Sequence, residues 1–454
     1  MDLTNKRVLV VGLGKSGLAA ALFLRDKGAR VTVSDTRSMA ALEKEIPALL
    51  DAGIMVEAGG HGLLTFRRQD LIVVSPGVPY DTPELAQTRA LGVPGLEIIG
   101  EVELASRFLV GKIVAITGSN GKTTTTALTG KIFADAGLAT LVGGNIGVPV
   151  IELVPRSTPD TWSVLEVSSF QLETIAEFRP CIAVVLNITP DHLDRHGSFE
   201  NYAAAKARIT ENQTGNDFLV LNAEDKPTQM IAAKTRAQIF WFSPRRPVKQ
   251  GAFVHGESIA FLPREGGKAE PIMPVAEIPL KGAHNVENVL AAICTARLAG
   301  IPAASIRESV RTFKAVEHRL EFVATVRGID FYNDSKATNV DATKKALEAF
   351  AGGLHLILGG KDKDSDYTEL ADLIRTRVKT VYTIGSAAEK IEQHLNGTAK
   401  IVSAGTLDAA VRTAAEDASA GDVVLLAPAC ASFDQFENYE HRGKVFKNLV
   451  QSLK

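Results

Sequence analysis

The feature that most constrains this chain is an alternation that runs along nearly all of it. Short apolar runs ending in Gly, Asp or Asn are separated by amphipathic segments of helical length. Val8–Val11, Val31–Ser34, Leu71–Ser75, Ile113–Thr117, Val164–Val167, Ala183–Asn187, Leu354–Leu358 and Val423–Ala427 are examples. A continuous apolar run suits a strand buried on both faces, and the segments between are the crossovers that parallel strands need. The pattern predicts an α/β chain of βαβ units in mostly parallel sheets, with functional groups at the carboxyl ends of the strands. The stretch Trp241–Pro279, with its many Pro and Gly, reads instead as β-ribbon or loop.

At 454 residues the alternation is too long for one hydrophobic core. Three domains are expected: a Rossmann-like domain over 1–100, a central P-loop mononucleotide-binding domain over 101–315, and a C-terminal Rossmann-like α/β domain over 316–454. The first break falls near Gly100, where a new helix leads to the strand before Gly118. The second falls near Val316, after the helices Asn285–Ala299 and Ile301–Thr312 and before the strand-rich Arg319–Val326. The formal net charge of -2 excludes a global basic field that would recruit nucleic acid or an anionic membrane. Any anion must be met by local charge. Cys181, Cys294 and Cys430 form no C-x-x-C pair and read as reduced thiols of a cytoplasmic protein. Residues 1–6 run straight into the strand-like Arg7-Val-Leu-Val-Val-Gly, and no run approaches the roughly 18–20 apolar residues of a membrane span. The expectation is a soluble, cytoplasmic monomer without nucleic-acid or membrane partners.

Four constellations carry chemistry. Gly12-Leu13-Gly14-Lys15-Ser16-Gly17 follows a strand and opens a helix, with Asp35 at the end of the next strand. This is the spacing of a dinucleotide-binding fingerprint, in which small residues admit a phosphate to a helix N-terminus and an acid meets a ribose. A glycine turn kept only for tight packing is the alternative, and the spacing leaves the nucleotide open. The second is Thr117-Gly-Ser-Asn-Gly-Lys-Thr-Thr124. It resembles a P-loop, but the usual first glycine position is Ile116, so that Gly118 gives the shorter G-x-x-G-K-T. Backbone N–H groups would still cradle phosphate, Lys122 would reach the terminal phosphates and Thr123 could bind Mg²⁺.

The third pairs Glu166, closing one strand, with His192, expected to close the strand that runs through Asn187. A carboxylate and an imidazole on the P-loop's edge of the sheet suit Mg²⁺ clamping ATP. The fourth gathers Glu317-His318-Arg319, the run Asn333–Asn339, Gly359–Lys363 and Pro428–Phe433, each polar cluster following a strand. Together they suggest one rim that binds a charged small molecule through Lys and Arg.

These motifs resemble the Mur ligase family of peptidoglycan synthesis along the full length. Thr117-Gly-Ser-Asn-Gly-Lys-Thr is that family's variant P-loop. Leu165-Glu-Val-Ser-Ser-Phe-Gln-Leu172, the Asn-Asp-Ser-Lys-Ala-Thr-Asn run from Asn333 and the segment Ser432–Tyr439 are similar to its D-glutamate-adding member; the Asp-Asn-Pro-Arg run of the diaminopimelate-adding relative is absent. The resemblance implies an ATP-dependent ligase that activates the carboxylate of UDP-N-acetylmuramoyl-L-alanine as an acyl phosphate and joins it to D-glutamate, with ATP and Mg²⁺ as cofactors.

It also implies roles by residue. Gly14, Lys15, Ser16 and Gly17 would approach a UDP diphosphate, while Asp35, Thr36 and Arg37 would meet uracil and ribose. Gly118, Asn120, Gly121, Lys122, Thr123 and Thr124 would hold the ATP phosphates. Thr123 and Glu166 would share one Mg²⁺, and Asn145 and His192 would serve substrate and a second metal. Lys206 matches the lysine that is carbamylated in this family and would support the metal as a carbamate. Asn288, Arg319 and Asp334 would hold the nucleotide. Thr338, Lys363, Ser432 and Tyr439 would surround D-glutamate, although Lys361 shares the loop with Lys363 and either could do so. Lys122, Glu166, His192 and Lys206 form the expected catalytic set. An NAD-dependent oxidoreductase built on Gly12–Gly17 would leave the P-loop, Glu166 and His192 without a use. A nucleotide-sensing regulator would not need the last-domain clusters, and a folylpolyglutamate synthase would not need a UDP-binding first domain.

Overall fold

In the computed structural model, which describes residues 1–314 and 316–453, the alternation resolves into three sheets. The first is wholly parallel, in the order β3-β2-β1-β4-β5, with β1 Arg7–Val11, β2 Arg30–Asp35, β3 Met55–Ala58, β4 Leu71–Val74 and β5 Glu97–Gly100. Its central strands are apolar because helices cover both faces: Val8 and Val10 belong to one core, Leu9 and Val11 to the other.

The second sheet has nine strands: β6 Lys112–Thr117, β7 Thr140–Gly144, β8 Trp162–Glu166, β9 Ile182–Val185, β10 Phe218–Asn222, β11 Gln238–Ser243, β12 Gly251–His255, β13 Ser258–Leu262 and β14 Glu270–Pro274. Their order is β14-β13-β12-β11-β10-β9-β6-β8-β7. The ribbon expected between Trp241 and Pro279 is present as the antiparallel pairs β12–β13 and β13–β14, which extend the parallel part. The third sheet runs β15-β16-β20-β17-β18-β19, with β15 Glu321–Val326, β16 Ile329–Asn333, β17 Leu354–Gly359, β18 Val378–Ile384, β19 Lys400–Gly405 and β20 Val423–Leu426. Only the pair β15–β16 is antiparallel in it.

These sheets fall into two compact units. One comprises Met1–Pro274 with Leu290–Val310, the other Val275–Val289 with Arg311–Lys454. The first two sheets share a unit because one apolar core is continuous between them: Val102, Leu104 and Ala105 of the helix Glu101–Ser106 cluster with Val150, Ile151 and Leu153. Buried polar ties accompany that core. Glu103, fully buried, accepts from the backbone amides of Ala176, Glu177 and Phe178 at 2.8, 3.0 and 2.8 Å and from Arg107 Nε at 2.7 Å. The expected boundary between 315 and 316 falls on Ala315, outside the described residues.

Candidate active site

β6 lies between β8 and β9, so the loops leaving these three strands are neighbours at their carboxyl ends. The turn after β6 reaches the helix Lys122–Asp135 through Gly121, whose φ of 86° is left-handed and favours glycine. The loop after β9 braces this turn. Ser119 N donates to Asn187 O at 2.9 Å, and Asn120 N to Asn187 Oδ1 at 2.8 Å. Asn187 Nδ2 returns a bond to Asn120 O at 3.0 Å, and Ser119 Oγ lies 2.9 Å from Tyr202 Oη.

Two lysines meet at this turn. Lys122 Nζ donates to the carbonyls of Gly118 and Ser119, at 2.8 Å each. Lys206 Nζ donates at 2.8 Å to that same Gly118 carbonyl, and its ammonium lies 4.6 Å from the centre of the Tyr202 ring. A lysine on the alanine-rich helix Phe199–Ala207 would ordinarily be solvated; here Tyr202, Ala205 and Lys206 form the helix's inward face, and Lys206 is 1% exposed. Burial, followed by the positive charge of Lys122, holds the Lys206 amine well below the ordinary lysine range, against the attraction of Asp191 and Glu166.

Glu166 ends β8 opposite Ile116 and is 1% exposed. Asn145 Nδ2 donates to its Oε1 at 2.8 Å, and Asn145 N to its main-chain oxygen at 2.9 Å. Its Oε2 is buried without a hydrogen-bond partner. His192 does not close a strand, as expected from the apolar run. β9 ends at Val185, and His192 lies further along the following loop with φ 53°. The run through Asn187 reads as strand by its apolar character; Leu186 still donates to Thr117 O of β6 at 3.0 Å, but Asn187 braces the P-loop instead. The ring of His192 packs edge-on against Phe170 at 4.9 Å, and Arg195 covers Phe170 at 4.4 Å.

The first glycine turn is built differently. Asp35 Oδ2 accepts from Leu13 N at 2.7 Å, and Oδ1 accepts from Arg37 N at 2.8 Å and Arg37 Nε at 3.1 Å. Burial works against the Asp35 charge, but the bonds from Arg37 and Leu13 outweigh it and hold the carboxyl below its ordinary range. Asp35 thus braces the turn itself, and Arg37 and Asp35 face each other. A Cβ on Gly17 would sit 1.9 Å from Gly12 O, whereas one on Gly14 would meet nothing within 4 Å. Gly17 is required by helix–strand packing; Gly14 leaves the turn open. Lys15 Nζ donates to Gly147 O, in the loop that carries Asn145. Ser16 is half-buried and Thr36 exposed.

In the other unit, the carboxyl ends of β16, β20 and β17 are adjacent, Asn333 pairing with Leu426 and Leu426 with Ile357. The polar clusters after these strands therefore share one rim. Asp334 is buried there, its N–H on Leu426 O at 2.8 Å and its Oδ1 3.6 Å from Arg319 Nη1. Burial raises its pKa to about 6 against the charge of Arg319. Arg442, fully buried, ties the Asn333–Asn339 run to the segment after β20: Nη2 donates to Ser335 O at 2.7 Å and Nη1 to Cys430 O at 3.2 Å. Ser432 is buried, Lys336 lies 5.2 Å from the Tyr439 ring centre, Thr338 and Lys363 are half-buried, and Lys361 is exposed. Asn288 donates to Asn285 Oδ1 at 3.0 Å.

Comparison with known proteins bears on this arrangement directly. Residues 6–100 match the Mur ligase MurD-like N-terminal domain, 116–296 the Mur ligase middle domain, and 318–430 the Mur ligase glutamate ligase domain. The chain belongs to the Mur ligase family. The UDP-N-acetylmuramoylalanine–D-glutamate ligase of Acidobacterium capsulatum is 68% identical over 450 residues, covering 99% of this chain and 97% of the relative. That of Koribacter versatilis is 61% identical, covering 100% and 99%. Among solved structures, the UDP-N-acetylmuramate-alanine ligase MurC of Thermotoga maritima superposes with a TM-score of 0.62 at 20% identity, over 99% of this chain and all of that one. That likeness is one of fold. As a Mur ligase, the chain is an ATP-dependent ligase of peptidoglycan precursor synthesis that forms a C–N bond.

The fit of a Mur ligase's Mg²⁺ can be tested on these residues. Among the described residues there is no cluster of three or more His, Cys, Asp or Glu that could cage a metal. Mg²⁺ does not need one, since it keeps waters and substrate phosphates and takes one or two carboxylates. The orphaned, buried Oε2 of Glu166 is an acceptor of that kind, so the residues fit the ion. Sequence reasoning gave no role to Asn187, Tyr202, Asp191 or Arg442. The first two brace the P-loop turn and the third acts electrostatically on Lys206. The Asn187–Asp194 run reads as the end of a strand closed by His192, and nothing in it says which side chains turn back onto the glycine loop. Among the described residues no helix is long and apolar enough to cross a membrane.

Proposed function

We propose that this Mur ligase joins D-glutamate to UDP-N-acetylmuramoyl-L-alanine, as a cytoplasmic monomer acting on small-molecule substrates. The observation that carries this reading is the end-to-end likeness to two D-glutamate ligases at 68% and 61% identity. In the reaction, the alanyl carboxylate attacks the γ-phosphorus of ATP and ADP leaves. The amine of D-glutamate attacks the resulting acyl phosphate, the tetrahedral intermediate loses a proton, and phosphate departs. Most of the catalysis is positioning and charge neutralisation.

The residue roles are part of the proposal. Gly118, Asn120, Gly121 and Thr124 cradle the ATP phosphates with backbone and hydroxyl donors, and Lys122 exchanges its two carbonyl contacts for the transferring phosphoryl group. Thr123, Glu166 and His192 would hold Mg²⁺, which supplies charge neutralisation on the phosphates when bound. Lys206 would add CO₂ through its neutral amine, losing a proton to give a carbamate; its burial beside the ammonium of Lys122 supports this, because a second cation next to Lys122 is unfavourable and an anion next to it is favourable. Gly14, Lys15, Ser16 and Gly17 face the UDP diphosphate; Asp35, Thr36 and Arg37 face its nucleoside; Asn145 and His192 also serve this substrate. Asn288, Arg319 and Asp334 hold the adenine nucleotide, while Thr338, Lys363, Ser432 and Tyr439 take D-glutamate. Phosphate release measured with each substrate omitted in turn tests the reading. Release should need ATP, the UDP-linked acceptor and D-glutamate together, and turnover with another amino acid in place of D-glutamate would overturn it.

A further inference from the structure

The loop between β7 and the turn Val150–Arg156 meets both Lys15 of the first glycine turn and the Glu166 carboxylate. At one end Asn145 holds Glu166 twice, from its side chain to Oε1 at 2.8 Å and from its backbone to the Glu166 main-chain oxygen at 2.9 Å. The fit is tight: a Cβ on Gly144 would sit 2.3 Å from that main-chain oxygen. The Gly144 N–H to Val148 O bond, 2.9 Å, closes the loop into a stiff turn. At its other end the loop is held from the first sheet's side. Lys15 Nζ donates to Gly147 O, and the buried Glu101 accepts Ile151 N at 2.7 Å.

We propose that Gly144–Ile151 is a relay through which a diphosphate bound at Gly12–Gly17 sets the position of Glu166, with Lys15 as the positioning residue that senses it. The inference rests on the proposed UDP-substrate reading of that turn. Lys15 sits at the open mouth of the turn beside Gly14, and its present acceptor is a neutral carbonyl. A charged phosphate oxygen is a stronger partner for an ammonium, roughly twice as strong as a neutral acceptor. Diphosphate binding therefore draws Lys15 off or along Gly147, while Glu101 keeps the far end of the loop fixed at Ile151. What moves is the near end, where Asn145 grips Glu166.

The test is calorimetric titration of UDP-N-acetylmuramoyl-L-alanine into the full-length protein, with and without saturating Mn²⁺–ADP. Wild type should bind about 5–20-fold more tightly when Mn²⁺–ADP is present, a coupling of ordinary allosteric size. Lys15→Met should bind the UDP compound more weakly and lose the coupling, to a factor near one, and Lys15→Arg should restore much of it. Mn²⁺ binding followed by electron paramagnetic resonance should show the reciprocal change. If Lys15→Met loses affinity equally in both conditions, Lys15 is a phosphate ligand only and the relay is wrong. An absence of coupling in wild type, or unaltered binding in Lys15→Met, also overturns it while leaving the proposed reaction standing. Failure of wild type to bind the UDP compound under either condition overturns the reaction itself.

Discussion

After β1 the chain turns through Gly12–Gly17 into the helix Lys15–Asp26; after β6 it turns through Gly118–Gly121 into the helix Lys122–Asp135. Both are strand–glycine–helix turns at the carboxyl edge of a parallel sheet, and each points helix N–H groups at the space above the sheet. They differ in what stabilises them. The first is closed by an anion: Asp35 gathers Leu13 N and Arg37, and Gly17 lets the helix lie against Gly12. The second is closed by two lysines, Lys122 and the buried Lys206, on the Gly118 carbonyl, with Asn187 bracing from the next strand's loop. On the proposed reading, one backbone motif serves both a substrate that is only held and a phosphate that is transferred. The transferred group needs positive charge that arrives with its transition state, and a held one does not.

Four substitutions break or sharpen that contrast, from the largest effect to the smallest. Lys122→Ala removes the Lys122 cation of the second turn, and steady-state turnover should fall by roughly 10²–10³, about 3–4 kcal/mol; a rate above about a tenth of wild type would deny Lys122 its role. Gly17→Ala places a methyl 1.9 Å from a backbone carbonyl that cannot step aside. It should cost about 2–3 kcal/mol in denaturant unfolding, occasionally more, and an unchanged midpoint would show that the helix is free to shift.

Asp35→Asn should cost about 1–2 kcal/mol, because Arg37 loses a charged partner. It should also flatten the acid limb. Asp35 is held below its ordinary 3.8, so its contribution is full above that value and is lost as pH falls through its own lower one. A variant that loses stability in acid as steeply as wild type would place the stabilising charge elsewhere. Gly14→Ala has the smallest effect on folding, within about 1 kcal/mol, since its new methyl meets nothing. Any larger consequence should appear as weaker binding of the UDP compound in calorimetry; equal binding would mean that the turn's mouth is wider than a diphosphate needs.

The parallel order of the sheets follows from what a buried strand and a crossover helix must look like, and both turns were legible as Gly patterns at strand ends. So were Glu166 on its strand end and the polar clusters after β16, β17 and β20, because strand pairing carries them to one rim. His192 was read onto a strand end that the chain leaves at Val185, since an apolar run marks where a strand can be, not where it stops. Spacing offers the Asp35 carboxylate to a ribose; only the fold shows that Leu13 and Arg37 also bond to it.

By itself the sequence determined the strand–turn–helix units, the glycine positions within them and the identity of the charged residues that follow each strand. These are local properties, written in period, length and residue type. The tertiary structure alone decided that Lys206, eighty-eight positions from Gly118, shares its carbonyl with Lys122, and that Lys15 reaches Gly147 across 132 positions. It also decided that Glu166 keeps one oxygen buried and unpartnered. Contacts at such separations depend on how sheets and loops pack in three dimensions. Burial then sets the charge of the groups that meet, and no pattern along one chain records either.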